Sequence, residues 1–164
     1  WDRLGWADRF ARREFTVRQQ AYARQWGDNT VYTPEFVLDG SIWRKSDGSS
    51  SPAASKEKTG VLAVERWDDG LCRVKFGAEG DYEVHVALLG GGISTIVRAG
   101  ENAGHTLRHD FVVLRLATAQ LESGTAEIKL PDVAVAGVTT RALAVWVTRR
   151  GELTPRQATG GWLD

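Results

Sequence analysis

The sequence predicts an α+β protein in which a small N-terminal region precedes an antiparallel β-sandwich-like domain. Three observations predict this fold class. One helical pattern lies near the N-terminus, a polar and serine-rich stretch follows it, and from Val61 onward apolar and polar residues alternate. We therefore divide the chain into an N-terminal region at 1–45, a linker at 46–60 and a β-rich domain at 61–164.

The first element is a helix over the stretch "TVRQQAYARQWG". Thr16 is a favourable N-cap residue, and Gln19 follows it at the spacing of a capping box. The helix is expected to run to Trp26. Gly27 should end it, because glycine adopts the left-handed conformation of a helix C-terminus at low cost.

A hairpin is predicted next. The segment "VYTPEFVLDG", residues 31–40, has the composition of a buried strand, and "SIWRK" forms a second strand after it. The dipeptide Asp39-Gly40 between them is typical of a two-residue hairpin turn. Pro34 lies inside the first strand although proline has no amide hydrogen for a ladder, so its position needs a separate explanation.

From Val61 the chain shows some seven short strands, with turn signals about every ten residues, which favours an antiparallel sandwich. In "DYEVHVALL" the apolar side chains share one face, whereas His85 lies on the other face and is expected to be half-buried rather than catalytic. The glycine run in "ALLGGGIS" is expected to be a flexible hairpin connection. The residues that we expect in the interior are Val84, Val86, Val112, Leu114, Val145 and Val147.

Composition excludes several classes of function. Lys and Arg together number 21, as do Asp and Glu, so the formal net charge is zero and no nucleic-acid partner is predicted. No apolar run approaches the ~20 residues of a transmembrane segment. Cys72 is the only cysteine, which excludes an internal disulfide, a Cys-x-x-Cys pair and a cysteine zinc cluster. We expect Cys72 to be buried and unreactive.

A metal site is not predicted, and neither is a cofactor. His105 and His109, with Glu101 upstream, are the best candidates for metal ligands. In a strand, however, residues four apart are separated by roughly 13 Å. One zinc ion, with ligand distances of about 2 Å, cannot bridge that distance. Only a turn between the two histidines would bring them together.

Four segments carry a resemblance to a known family: "WDRLGWADRF", "REFTVRQQAYARQWG", "VYTPEFVLDG" and "RAGENAGHTLRHDFVV". In this order they are similar to a bacterial secreted, thioredoxin-like family, domain of unknown function 1223, over nearly the whole chain. The resemblance implies that residues 1–45 are the second half of a thioredoxin-like domain and that the protein is secreted or periplasmic. It also implies that the Thr33–Pro34 peptide bond is cis and begins a strand.

The chain departs from the family's pattern at its beginning. Family members open with a βαβ unit that carries a Cys-x-x-Cys motif, whereas this sequence begins at Trp1-Asp2, so we expect a fragment of a longer protein. The 31–45 hairpin is then expected to have an unpaired edge and an uncovered apolar face. Tyr32, Thr33 and Pro34 are the predicted peptide-docking edge, for a protein partner or for the missing N-terminal segment.

Two functions follow as hypotheses. The first is an exported, non-enzymatic module that acts in protein interaction or as a structural subunit. The alternative is a fragment of a secreted thiol–disulfide oxidoreductase whose Cys-x-x-Cys motif lies upstream of Trp1. We assign no catalytic residue, because a single thiol forms a mixed disulfide but cannot resolve it intramolecularly.

Overall fold

A computed structural model describes residues 8–28, 30–44, 59–100 and 102–163. The linker predicted at 46–60 therefore lies outside the described residues, except for its last two positions. The elements, in chain order, are α1 (Arg13–Gln25), β1 (Val37–Leu38), β2 (Ser41–Ile42), β3 (Leu62–Arg66), β4 (Leu71–Phe76), β5 (Tyr82–Gly91), β6 (Ile93–Ile96), β7 (Thr106–His109), β8 (Val112–Gln120), β9 (Thr125–Lys129), β10 (Thr140–Arg149) and β11 (Pro155–Leu163).

Helix α1 begins earlier than the sequence predicts. Arg12 is the N-cap residue and forms no side-chain capping hydrogen bond, and Glu14 in the first turn interacts favourably with the helix dipole. The predicted capping box at Thr16 is wrong, because Thr16 lies inside the helix. The side chain of Gln19 instead donates a hydrogen bond to the carbonyl of Tyr32, at 3.1 Å.

The end of α1 is confirmed. Gly27 has a φ of 72°, the left-handed region that glycine adopts without a steric penalty. Its amide donates to the carbonyl of Arg24 at 3.1 Å, and the amide of Asp28 donates to the carbonyl of Ala23 at 2.9 Å. These two hydrogen bonds form a Schellman motif, which satisfies carbonyls that a helix end leaves unpaired.

The hairpin is confirmed, but its strands are short. Leu38 pairs with Ser41 across Asp39 and Gly40, both of which have positive φ, as a type I′ turn requires. The Thr33–Pro34 bond is cis, as predicted, but it does not begin a strand, because β1 starts only at Val37. The prediction of a buried strand over 31–38 is wrong: Val31 is 40% exposed and Phe36 is 60% exposed. Within the described residues β1 pairs with β2 alone.

Two antiparallel sheets form the sandwich that the alternation predicts. One sheet has the strand order β11-β10-β5-β8, and the other has the order β3-β4-β9. Side chains from the inner faces of both sheets meet in one hydrophobic cluster, which contains Val74 and Ile128 from the smaller sheet and Val86 and Val145 from the larger one. Of the six predicted interior residues, five are buried and Val112 is half-buried against the cluster.

The glycine run after Leu89 is not the flexible connection that the sequence suggests. Gly90 and Gly91 belong to β5, which pairs with β10 through Gly91↔Thr140. A Cβ atom on Gly90 would lie 2.9 Å from Leu114 Cδ1, closer than such atoms approach. Gly90 therefore leaves room for the side chain of Leu114 at this end of the sheet, and the chain turns into β6 only at Gly92.

Helix α1 and the hairpin form a further layer over the larger sheet. Tyr22 donates a hydrogen bond to the carbonyl of Leu153 in the β10–β11 connection, at 3.1 Å. Trp26 donates to the carbonyl of Gly40 at 2.8 Å, which joins the helix to the hairpin. Gly40 in turn lies against Thr154. In the described part of the chain no helix has the length and apolar character needed to cross a membrane.

Val86→Asp tests this architecture. Val86 is fully buried at the centre of the sandwich, so the substitution places a charge where no partner compensates it. We expect the free energy of unfolding to fall by about 4 kcal/mol or more, measured by urea denaturation. Ile96→Asp is the matched control, because Ile96 is 67% exposed. Equal unfolding midpoints for the two variants would contradict the assigned core.

Candidate functional site

A cleft of about 480 Å³ lies between helix α1 and the outer face of the larger sheet. Three groups of apolar side chains line it, one from each surrounding part of the chain. They are Phe15, Tyr22 and Trp26 from α1, Val31, Val37 and Ile42 from the hairpin region, and Val113, Leu116 and Trp146 from the sheet. A concave apolar surface of this kind suits apolar groups of a ligand.

Trp146 forms the floor of the cleft, and stacked rings fix its position. The ring of His85 stacks beside it from the paired position on β5, with the two ring centroids 5.1 Å apart and an interplanar angle of 15°. The guanidinium of Arg18 lies 5.3 Å from the centroid of the Trp146 ring and 5.3 Å from that of Tyr22. This arrangement of a cation against two aromatic rings holds the helix side of the cleft against its floor.

His85 is a buried ionisable group near the cleft. It is 6% exposed, so the expectation of a half-buried side chain is wrong. Its Nδ1 lies 2.9 Å from Thr118 Oγ1 and its Nε2 lies 3.1 Å from Thr148 Oγ1, so both ring nitrogens have a partner. Burial, reinforced by the nearby positive charge of Arg18, lowers the pKa of His85 to about 4. The ring is therefore neutral near pH 7.

Both hydroxyl partners of His85 come from the strands beside β5. One donates to the ring nitrogen that lacks a proton and the other accepts from the nitrogen that carries it. The ring lies beside Trp146 and is not among the residues that line the cleft. We therefore assign His85 a supporting role next to the site.

The predicted docking residues lie on the rim of the cleft. Tyr32, Thr33 and Pro34 all line it, and all three are exposed. Gln19 holds this turn from the helix, since its Nε2 lies 3.1 Å from the carbonyl oxygen of Tyr32 and 3.3 Å from Thr33 Oγ1. The carbonyl of Tyr32 is thus already occupied within the chain.

The residues of the opposite wall could not be found from the sequence. Val113, Leu116 and Trp146 lie on outward-facing positions of β8 and β10, far from α1 along the chain. An outward aromatic residue in "ALAVWVTRR" is an unusual feature of a sandwich strand. It indicates that something covers the outer face there, but it does not identify the helix as the cover.

The remaining sequence candidates do not form a second site of this kind. Cys72 is fully buried, as predicted, and burial raises the pKa of its thiol although Arg66 acts in the opposite direction. His105 precedes β7 and His109 ends it, and Glu101 lies outside the described residues. No group of three or more potential metal ligands occurs among the residues that the structure describes.

The fold and the cleft define a β-sandwich protein with an added helix-and-hairpin layer and an apolar cleft. The chain belongs to the DUF1223 family of proteins of unknown function, whose family model matches residues 1–148. No curated protein matches the chain significantly, and no solved structure does so. Family membership, which the four sequence segments suggest, is confirmed, and it assigns no activity.

The neutral state of His85 predicts a pH-dependent stability. The folded-state pKa of about 4 lies below the ordinary value of 6.5, so between these values the unfolded chain binds a proton that the folded chain does not. Stability should therefore fall as the pH decreases from 6.5 to 4. Between pH 7 and pH 4 we expect the free energy of unfolding to decrease in both proteins, by about 3 kcal/mol more in the wild type than in His85→Gln.

Urea denaturation at several pH values measures this difference. His105→Gln is the control: His105 is exposed, so this variant should keep the pH-dependent stability of the wild type. If His85→Gln showed the same loss of stability as the wild type, the neutral state of the buried ring would not be the cause.

Cys72 provides a separate test of the sandwich core. A thiol reagent such as dithiobis(nitrobenzoate) should label the folded protein about a hundredfold more slowly than the urea-unfolded chain, since labelling requires opening of the core. The release of nitrothiobenzoate measures the rate. Rapid labelling of the folded protein would place Cys72 on the surface and contradict its burial.

Proposed function

We propose that the chain is a non-enzymatic interaction module whose cleft binds an extended, apolar polypeptide segment of a protein partner. The observation that carries this proposal is the continuity between the apolar cleft and the exposed apolar side chains beside it. Val31, Tyr32 and Val37 all line the cleft, and each is at least 40% exposed. Contiguous apolar surface of this kind marks an interaction site more often than isolated apolar residues do.

The hairpin supplies the backbone groups for such a partner. Among the described residues β1 and β2 pair with each other alone, so each has an edge that can accept a further strand. Because Gln19 already binds the carbonyl of Tyr32, a guest segment would contact the Tyr32–Pro34 turn through side chains. It would form its backbone hydrogen bonds with the hairpin edge instead.

We further propose that residues 1–45 are the second half of a thioredoxin-like domain and that the protein acts outside the cytoplasm, in the periplasm or as a secreted protein. The sequence resemblance supports both statements. The order of a helix, a proline-containing loop and an antiparallel hairpin is compatible with the first of them. The alternative, a fragment of an oxidoreductase, rests on a Cys-x-x-Cys motif upstream of Trp1. Cys72, in the sandwich core, does not supply that motif.

Val31→Arg tests the proposed binding. Val31 lines the cleft and is exposed, so the substitution should leave the fold intact while it places a charge on the apolar surface. The measurement is fluorescence anisotropy with a panel of labelled peptides of about eight residues, long enough for a strand, in which apolar and polar residues alternate. We expect the peptides that bind the wild type to bind Val31→Arg about tenfold more weakly or worse.

Ile96→Arg is the matched control, since it adds the same charge at an exposed apolar residue outside the cleft. Backbone N-methylation at alternate residues of a binding peptide should also abolish binding, because it removes the strand hydrogen bonds. Equal affinities of the two arginine variants, or no binding of any peptide to the wild type, would show that the cleft is not a peptide site.

A further inference from the structure

A second pocket, of about 450 Å³, lies at one end of the sandwich. Arg66 is the last residue of β3, and Arg141 is the second residue of β10. Both occupy positions whose side chains face between the sheets. Arg66 continues the inward series of Leu62 and Val64, and Arg141 precedes inward-facing Leu143. Arg66 and Arg141, one from each sheet, therefore both line the pocket at this end of the hydrophobic core.

The hydrogen bonds of these two arginines are incomplete. Arg66 Nε and Arg141 Nε are buried and have no hydrogen-bond acceptor in the described part of the chain. Arg66 Nη2 is buried as well, and it forms a long ion pair with Asp132 but no hydrogen bond. A buried donor without an acceptor is unfavourable, and such groups are rare in folded proteins. Both side chains line the pocket, so an acceptor inside it would lie beside these guanidinium groups.

The charged residues that line the pocket favour a negatively charged ligand. Asp132 approaches Arg66, with its Oδ1 3.5 Å from Nη2, and its side chain is 54% exposed whereas that of Arg66 is 16% exposed. Arg141 Nη2 donates to the carbonyl of Val133 at 3.3 Å, which is a neutral acceptor. Two cations and one carboxylate thus give the pocket a single net positive charge, which complements a monoanion.

We propose that Arg66 and Arg141 form a binding site for a small monocarboxylate. The planar guanidinium group binds a carboxylate through two parallel hydrogen bonds, a geometry that no neutral acceptor reproduces. Trp162 and Leu163 line the same pocket and offer apolar surface to the body of the ligand. The hydroxyl-bearing residues Thr139 and Thr140 complete the lining. The site is separate from the cleft beside α1 and does not depend on the function proposed for that cleft.

Benzoate is the probe, compared with benzamide as its neutral isostere and with inorganic phosphate as a more highly charged anion. Binding is followed at constant ionic strength by the NMR shifts of the Trp162 indole and of the Thr140 and Arg141 amides. We expect saturable shifts with benzoate and affinities at least about tenfold lower for benzamide and for phosphate. Benzamide binding as tightly as benzoate would overturn the anion site, and tighter phosphate binding would overturn the monocarboxylate assignment.

Three variants locate the site. Arg141→Gln should weaken benzoate binding about tenfold or more, whereas Arg73→Gln, which removes the same charge from the outer face of β4, should not. Asp132→Asn raises the net charge of the pocket and should strengthen benzoate binding severalfold without removing an arginine. The two arginines could instead serve only to anchor the 131–139 loop. In that case neither protein would bind benzoate, or Asp132→Asn would bind it with the affinity of the wild type, and either result would overturn the proposal.

Discussion

The burial of β5 on both of its faces is the constraint on which the rest of the structure depends. β5 lies between β8 and β10, and its side chains Val84, Val86 and Leu88 fill the space between the two sheets. The opposite face, with His85 and Ala87, is buried as well. A sandwich alone would leave that second face in water. The layer of α1 and the hairpin, together with Trp146, removes it from solvent, and the space left between the layers is the cleft.

Two groups of buried polar side chains in the described part of the chain differ in how fully their hydrogen bonds are satisfied. His85 has a threonine partner for each ring nitrogen and remains neutral, so its burial is compatible with a stable sheet. Arg66 and Arg141 remain charged at the end of the core and retain donors without acceptors. The hydrogen bonds of His85 are complete within the chain, so we regard Thr118 and Thr148 as structural. Those of Arg66 and Arg141 need an acceptor from a ligand, so we regard the two arginines as a site.

Local sequence patterns predict most of the fold, whereas features that depend on contacts between distant residues cannot be predicted from them. Alternation identified the inward residues of β5 and β10, and Asp39-Gly40 identified the hairpin turn, because both signals depend on neighbouring residues. The capping-box pattern does not locate the start of α1, because the helix already begins at Arg13 and Gln19 binds the carbonyl of Tyr32. The local pattern does not reveal the role of the β5 glycines, because Gly90 packs against Leu114 of β8 and Gly91 against Thr140 of β10. Tyr32, Thr33 and Pro34 were found as rim residues, but the facing wall at Leu116 and Trp146 depends on tertiary contacts alone.

The edge strand β11 runs from the layer of α1 and the hairpin to the arginine pocket. It begins at Pro155, directly after the Leu153–Thr154 segment that contacts α1 and the hairpin, and it ends at Leu163 in the arginine pocket. Its nine residues extend over roughly 30 Å at the rise of a strand. The cleft and the arginine pocket share no lining residue, so an occupant of one leaves the other open, and the chain could hold both at the same time.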